Sequence, residues 1–191
     1  FAMIGTIVWQ AFVDALNAPL KTVTMAKPVL ARINLPKEAL LLSALAQAVF
    51  GFLVRLPLLI GVMVYFHVVP PPTALLFPLG IASLILVGFM IGVLLTPLGI
   101  LYTDVQQMLP IATTFLLLLT PIVYPVPGSG FAAAVAAYNP LSPLVQTTRD
   151  WLTVGATAQL PEFLAISLIA LLCLLLGWLT LRVAMPHLVA R

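Results

Sequence analysis

An all-α, polytopic membrane protein is the fold class this sequence predicts, on three observations. Of its 191 residues, 63% are hydrophobic and only 7% charged, against about 45–50% and about 25% in ordinary soluble domains. The mean hydropathy of +1.22 is too high for a globule that faces water on all sides. Long stretches without Asp, Glu, Lys or Arg alternate with Pro- and Gly-rich breakers, and a bilayer core about 30 Å thick needs helices of this kind. The composition also excludes several functions. The 8 Lys and Arg outnumber the 5 Asp and Glu to give a net charge of +3, but the basic residues are scattered and form no stripe for nucleic acid. Cys173 stands alone, so no intrachain disulfide framework exists, and His67 and His187 lack companions for a metal site. Asp104, Asp150 and Glu162 are separated by spans, with no Ser/His or Cys/His pairing and no phosphate-cradling glycine loop, so no catalytic site is expected.

The elements follow in order. Residues 1–13 read as the end of a membrane helix: Phe1 is not an initiating residue, no basic region precedes the apolar run, and the run leads to Asp14 rather than to a signal-peptide cleavage site. The chain is therefore expected to be a piece of a longer one. Residues 14–38 read as a loop, carrying Lys21, Lys27, Arg32 and Lys37. Apolar spans are expected at 39–66, interrupted only by Arg55, then at 74–101, 109–124 and 163–183. The separators at 68–73, 125–130 and 139–143 are rich in proline and glycine, which end helices and permit reversals. Lys and Arg gather in cytoplasmic loops, so the 14–38 loop, with Arg182 and Arg191 after the last span, places both that loop and the C-terminus inside. Residues 125–161 then lie outside. Within them, Phe131–Tyr138 and Leu144–Leu152, closed by Gly155, are too short to cross; they suit either re-entrant helices or helices lying on the outer leaflet.

Individual residues invite two readings each. Arg55 lies in the outer half of its span, where it either faces a translocation path or snorkels to lipid phosphate. Gln47, two turns inward, is an interhelix hydrogen-bonding residue or a path residue. Tyr65, Phe66, Tyr124, Phe131, Tyr138 and Trp151 fall at the expected outer boundary as an aromatic belt; Tyr124, Tyr138 and Trp151 are also placed for sugar rings to stack on at an exit. Thr96-Pro97 and Thr120-Pro121 put prolines near helix ends, where a hydroxyl can satisfy a freed carbonyl.

Four local patterns carry more. Val-Leu-Ala-Arg-Ile-Asn-Leu-Pro-Lys-Glu at 29–38, Tyr-Thr-Asp-Val at 102–105, Thr-Pro-Ile-Val-Tyr-Pro at 120–125 and Tyr-Asn-Pro-Leu-Ser-Pro-Leu at 138–144 occur in that order. Together they resemble the permease subunits of type 2 ABC exporters, especially those exporting O-antigen, teichoic acid or capsule. The resemblance runs from about Trp9 to Arg182. It departs from the family's pattern at Leu35 (usually Phe), at Ala31 (usually basic), and at Leu101 and Thr103 (usually arginines), which leaves Asp104 as the charge of that turn. The family chain begins with an interface helix and a first membrane helix, and the resemblance implies that residue 1 falls after both.

The resemblance implies a type 2 ABC exporter transmembrane domain in a bacterial cytoplasmic (inner) membrane, itself not an enzyme and without a cofactor of its own. ATP would be bound and hydrolysed by a separate ABC ATPase subunit. It implies a second permease copy as partner, a lipid-linked glycan as substrate, and ATPase coupling through Arg32, Leu35, Pro36, Lys37, Glu38 and Asp104. The 14–38 segment, with apolar Val29, Leu30 and Ile33 ringed by charge, suits docking in a partner's groove; resting on anionic headgroups is the alternative. An exporter of drugs or other lipids shares the architecture and remains the alternative cargo.

Overall fold

The computed structural model describes residues 2–30, 37–122, 138–155 and 159–189. These form six α-helices: α1 Ala2–Leu30, α2 Lys37–Tyr65, α3 Phe77–Leu101, α4 Thr103–Leu119, α5 Leu141–Thr153 and α6 Leu160–Val189, with a 3-10 turn at Pro72–Leu76 before α3. Three of them, α2, α3 with its 3-10 turn, and α6, are long and apolar enough to cross a membrane. In lipid every backbone N–H and C=O must be satisfied within the segment, which favours continuous helices from such sequences. The protein is thus a multi-pass helical membrane protein. Helix α4, apolar over Asp104–Leu119, is about 25 Å long.

Helix α1 runs well past the boundary that the first charge suggests. It does not end at Val13 but continues to Leu30. The reason is periodic: Val8, Phe12, Ala15, Leu16, Leu20 and Val23 are all buried, an apolar stripe at helical spacing that Asp14 does not interrupt. This stripe packs on α3. An ideal Cβ on Gly88 would fall 2.5 Å from the Phe12 carbonyl oxygen and 3.2 Å from Ala15 Cβ; Gly92 faces Leu16 and Pro19, and Gly99 faces Leu20. Positions rise together along both chains, so α1 and α3 are parallel. The Gly88-Phe-Met-Ile-Gly92 sequence is a small-xxx-small pattern, which lets two backbones approach where no hydrophobic effect drives association.

The remaining helices surround this pair. α2 lies antiparallel on α1, α6 meets α3 where Gly177 abuts Val93 and Leu94, and α5 inserts between α1, α3, the 3-10 turn and α6. Two turns are built by local chemistry. α2 closes with the Val68 N–H donating to the Met63 carbonyl at 2.9 Å and His67 left-handed at φ 50°, a cap usually made by glycine. α5 closes with both the Val154 and Gly155 N–H groups donating to the Asp150 carbonyl, Gly155 standing at φ +79°. Inside α3, Thr96 Oγ1 donates to the Gly92 carbonyl at 2.7 Å beside Pro97.

Candidate functional site

The two segments proposed for coupling converge by topology. α1 ends and α2 begins at one end of the bundle; α3, parallel to α1, ends there too, and α4 begins there. Glu38 in the first turn of α2 and Asp104 in the first turn of α4 therefore sit at the same end, each a carboxylate at a helix N-terminus, where the helix dipole favours negative charge. Glu38 also borders a pocket of about 280 Å³ with Leu41, Phe89, Val93, Leu174 and Trp178. Lys37 opens α2, while Arg32, Leu35 and Pro36 lie outside the described residues.

The described residues expected along a path stand in different surroundings. Gln47 is exposed on α2, its Nε2 donating to Ser43 Oγ at 3.4 Å. Tyr138 is 90% exposed, and Tyr124 lies outside the described residues. Trp151 corrects the expectation of a boundary aromatic: it is 0% exposed, its ring edge-on to Phe163 at 5.0 Å, its carbonyl accepting from Thr73 Oγ1 at 3.0 Å. It faces inward because other elements enclose α5 on both its polar and its apolar sides. The adjoining Arg149 is only 5% exposed and holds Asp150 Oδ1 at 3.4 Å. Burial pulls its guanidinium below the usual pKa, and Asp150 opposes that pull.

Arg55 has a partner that neither of its two expected readings named. Its guanidinium donates to Asp14 Oδ2 across the α1–α2 contact, and the two side chains are 34% and 31% exposed. Gly51, one turn earlier on the same face of α2, makes room: a Cβ there would fall 3.1 Å from Asp14 Oδ2. The pair lies about 15 Å of helix from the Tyr65 end of α2 and about 18 Å from the start of α1, well inside the apolar thickness. An unpaired Arg or Asp at a span centre costs about 2.5–3.5 kcal/mol on the insertion scale, so mutual neutralisation lets this stretch remain in the bundle. Sequence reasoning missed the pair because Asp14 was assigned to a loop. The signal was present in the spacing of Gln10, Asp14, Asn17, Lys21 and Thr24, which continues one helical face through the charge.

Two of the singled-out motifs do meet. Asn139 Nδ2 donates to Thr120 Oγ1 at 2.8 Å while its Oδ1 accepts from the Leu141 N–H at 3.0 Å, so one side chain satisfies the first N–H of α5 and ties it to the end of α4. Nearby, Gly5 on α1 faces the Ile122 carbonyl, where a Cβ would fall at 2.7 Å. At the other end, Gln106 Nε2 donates to Thr24 Oγ1 and to the Gly99 carbonyl, both at 3.2 Å, which binds α4 to α1 and α3. Among the described residues no group of three or more His, Cys, Asp or Glu is placed to hold a metal.

No family model matches the sequence. Over 178 residues the chain is 18% identical to the O-antigen export system permease protein RfbA of Myxococcus xanthus, an alignment covering 93% of this chain and 68% of that relative. With three membrane-length helices, the chain is a polytopic membrane protein with a distant likeness to a permease.

Proposed function

We propose that this chain is the membrane subunit of an ATP-driven exporter that moves a lipid-linked polysaccharide, or a similar cell-surface glycan, across a bacterial cytoplasmic membrane. The observation that carries this reading is the likeness to an O-antigen export permease along 93% of the chain. Two copies form the path between them. The end of α1, the start of α2 and the turn at Asp104 face the cytoplasm, as Lys27, Arg32 and Lys37 there favour, and Arg32, Leu35, Pro36, Lys37 and Glu38 seat that end on an ABC ATPase subunit. ATP binds to that partner. Closure of the ATPase pair pushes on the loop and re-angles the helices joined to it. The 125–161 region faces outward and re-enters the membrane; the enclosure of α5 by four other elements supports this over a helix resting on the leaflet.

Disruption of the gene is expected to strip glycan from the cell surface and accumulate its lipid-linked form inside. A normal surface would overturn the reading. A second reading, export of a lipid or apolar drug, draws on an apolar groove of about 560 Å³ between α2 and α3, lined by Leu45, Phe52, Phe77, Ile81 and Ile85 among others. Intact surface glycan with altered drug resistance or lipid distribution would favour it.

A further inference from the structure

Helices α2 and α3 both pack along α1, yet they scarcely touch each other. Between them runs a slot lined by apolar side chains of these two helices alone, from Leu45 to Leu56 on α2 and from Phe77 to Leu86 on α3. Phe52, Ile81 and Ile85 are buried and form its floor, where the Phe52 and Phe77 rings meet with centroids 6.2 Å apart. Val49, Leu53 and Ala82 are exposed and form its rims, so the slot opens away from α1. Gln47 and Arg55, the polar residues of this stretch of α2, do not line it; by helical spacing Gln47 projects from the opposite side. The slot is thus an apolar trough, part-way along two membrane-length helices, whose open side faces the bilayer.

Size and polarity decide what fills it. Water finds no donor or acceptor on such walls, and apolar cavities of this kind stay dry. Left empty, the slot would forfeit the dispersion contacts of its whole lining. A helix of another protein is too wide: about 560 Å³ drawn out over the roughly 16 Å from Leu45 to Leu56 gives a mean cross-section of about 35 Å², against roughly 80 Å² for a helix about 10 Å across. A methylene chain, whose carbons sit about 4 Å from their neighbours, fits. The geometry points to a bilayer phospholipid that lays one hydrocarbon chain in the slot as a resident, standing in for the missing contact between α2 and α3. The length agrees, since half of a core about 30 Å thick is the reach of a chain from one leaflet. The chain leaves one hydrocarbon setting for another, so packing rather than the hydrophobic effect holds it: in the slot it touches two helices, on an outward ridge only one. It is not cargo in transit and belongs to the slot whatever the protein exports.

The test reconstitutes the full-length protein in vesicles of phosphatidylethanolamine and phosphatidylglycerol, doped with a phosphatidylethanolamine that carries a photoactivatable diazirine midway along one acyl chain. No lipid-linked glycan and no ATP are present. One sample is irradiated in the vesicles; a second is extracted in mild detergent, exchanged repeatedly into fresh detergent and then irradiated. Labelled positions are read by peptide mass spectrometry. Leu164, Leu168 and Leu172, exposed on one outward face of α6, report ordinary boundary lipid. In the vesicles both the slot and this ridge are expected to take label. After detergent exchange the label is expected to persist at Phe52, Ile81, Ala82 and Ile85, several-fold above the ridge, which loses its own. Loss from both places in the same exchange would reduce the slot lipid to boundary lipid and overturn the proposal. So would slot residues that take no label in the vesicles while the ridge does, because the slot would then be closed or filled by protein.

Discussion

Arg55 changes meaning once Asp14 stands opposite it. A lone cation in a span attracts anions or phosphate; a paired one joins two helices. Asp14→Asn or Arg55→Gln leaves a charge without its partner and is expected to cost about 1–3 kcal/mol of stability, read as a lowered Tm of the purified protein. The exchange Asp14→Arg with Arg55→Asp is expected to recover part of that loss, whereas a path cation acting alone would gain nothing from it. Trp151 makes a complementary case. Because its indole lies in the core and its Nε1 has no hydrogen-bond partner among the described residues, Trp151→Phe is expected to be tolerated and Trp151→Ala to cost about 3–5 kcal/mol. A stacking platform for sugars would instead show normal stability and impaired export. Gly155 is held by backbone geometry: at φ +79° an L side chain costs roughly 1–2 kcal/mol, so Gly155→Ala is expected to lower Tm by a corresponding amount.

At the level of elements, the parallel α1–α3 pair organises the bundle, and glycine sets its spacing. Gly88→Leu or Gly92→Leu would drive a side chain into the α1 backbone, with an expected penalty of about 1–3 kcal/mol or more from overpacking, measurable as reduced folded yield and Tm. The same change at Gly61, where nothing lies within 4 Å of a new Cβ, is the control and is expected to be silent. The stretches without charge were enough to locate α2, α3 and α6. α1 was cut short because a charge criterion stops at Asp14, whereas the burial stripe of Ala15, Leu16, Leu20 and Val23 does not. α5 was legible as a short helix closed by Gly155, but its enclosure was not, since polar Ser142, Gln146, Thr147, Thr148 and Arg149 are buried along with its apolar residues.

For the whole molecule, alternation of helix direction gathers the starts of α2 and α4 and the ends of α1, α3 and α6 at one end of the bundle. Such an end is where a soluble motor would have to push. Co-expression with a candidate ABC ATPase is expected to give a co-purifying complex that charge reversal at Arg32 and Lys37 weakens; association indifferent to that reversal would sink docking at this loop. The sequence by itself determined the solvent, the helical class and the approximate spans, because hydrophobicity and the lack of charge are properties of local stretches. Which faces meet was decided only in the tertiary structure. Periodicity tells which side chains share one side of a helix, but not which helix that side will find; hence Asp14 with Arg55, Thr120 with Asn139, and Trp151 against Phe163 emerge only when the helices are packed.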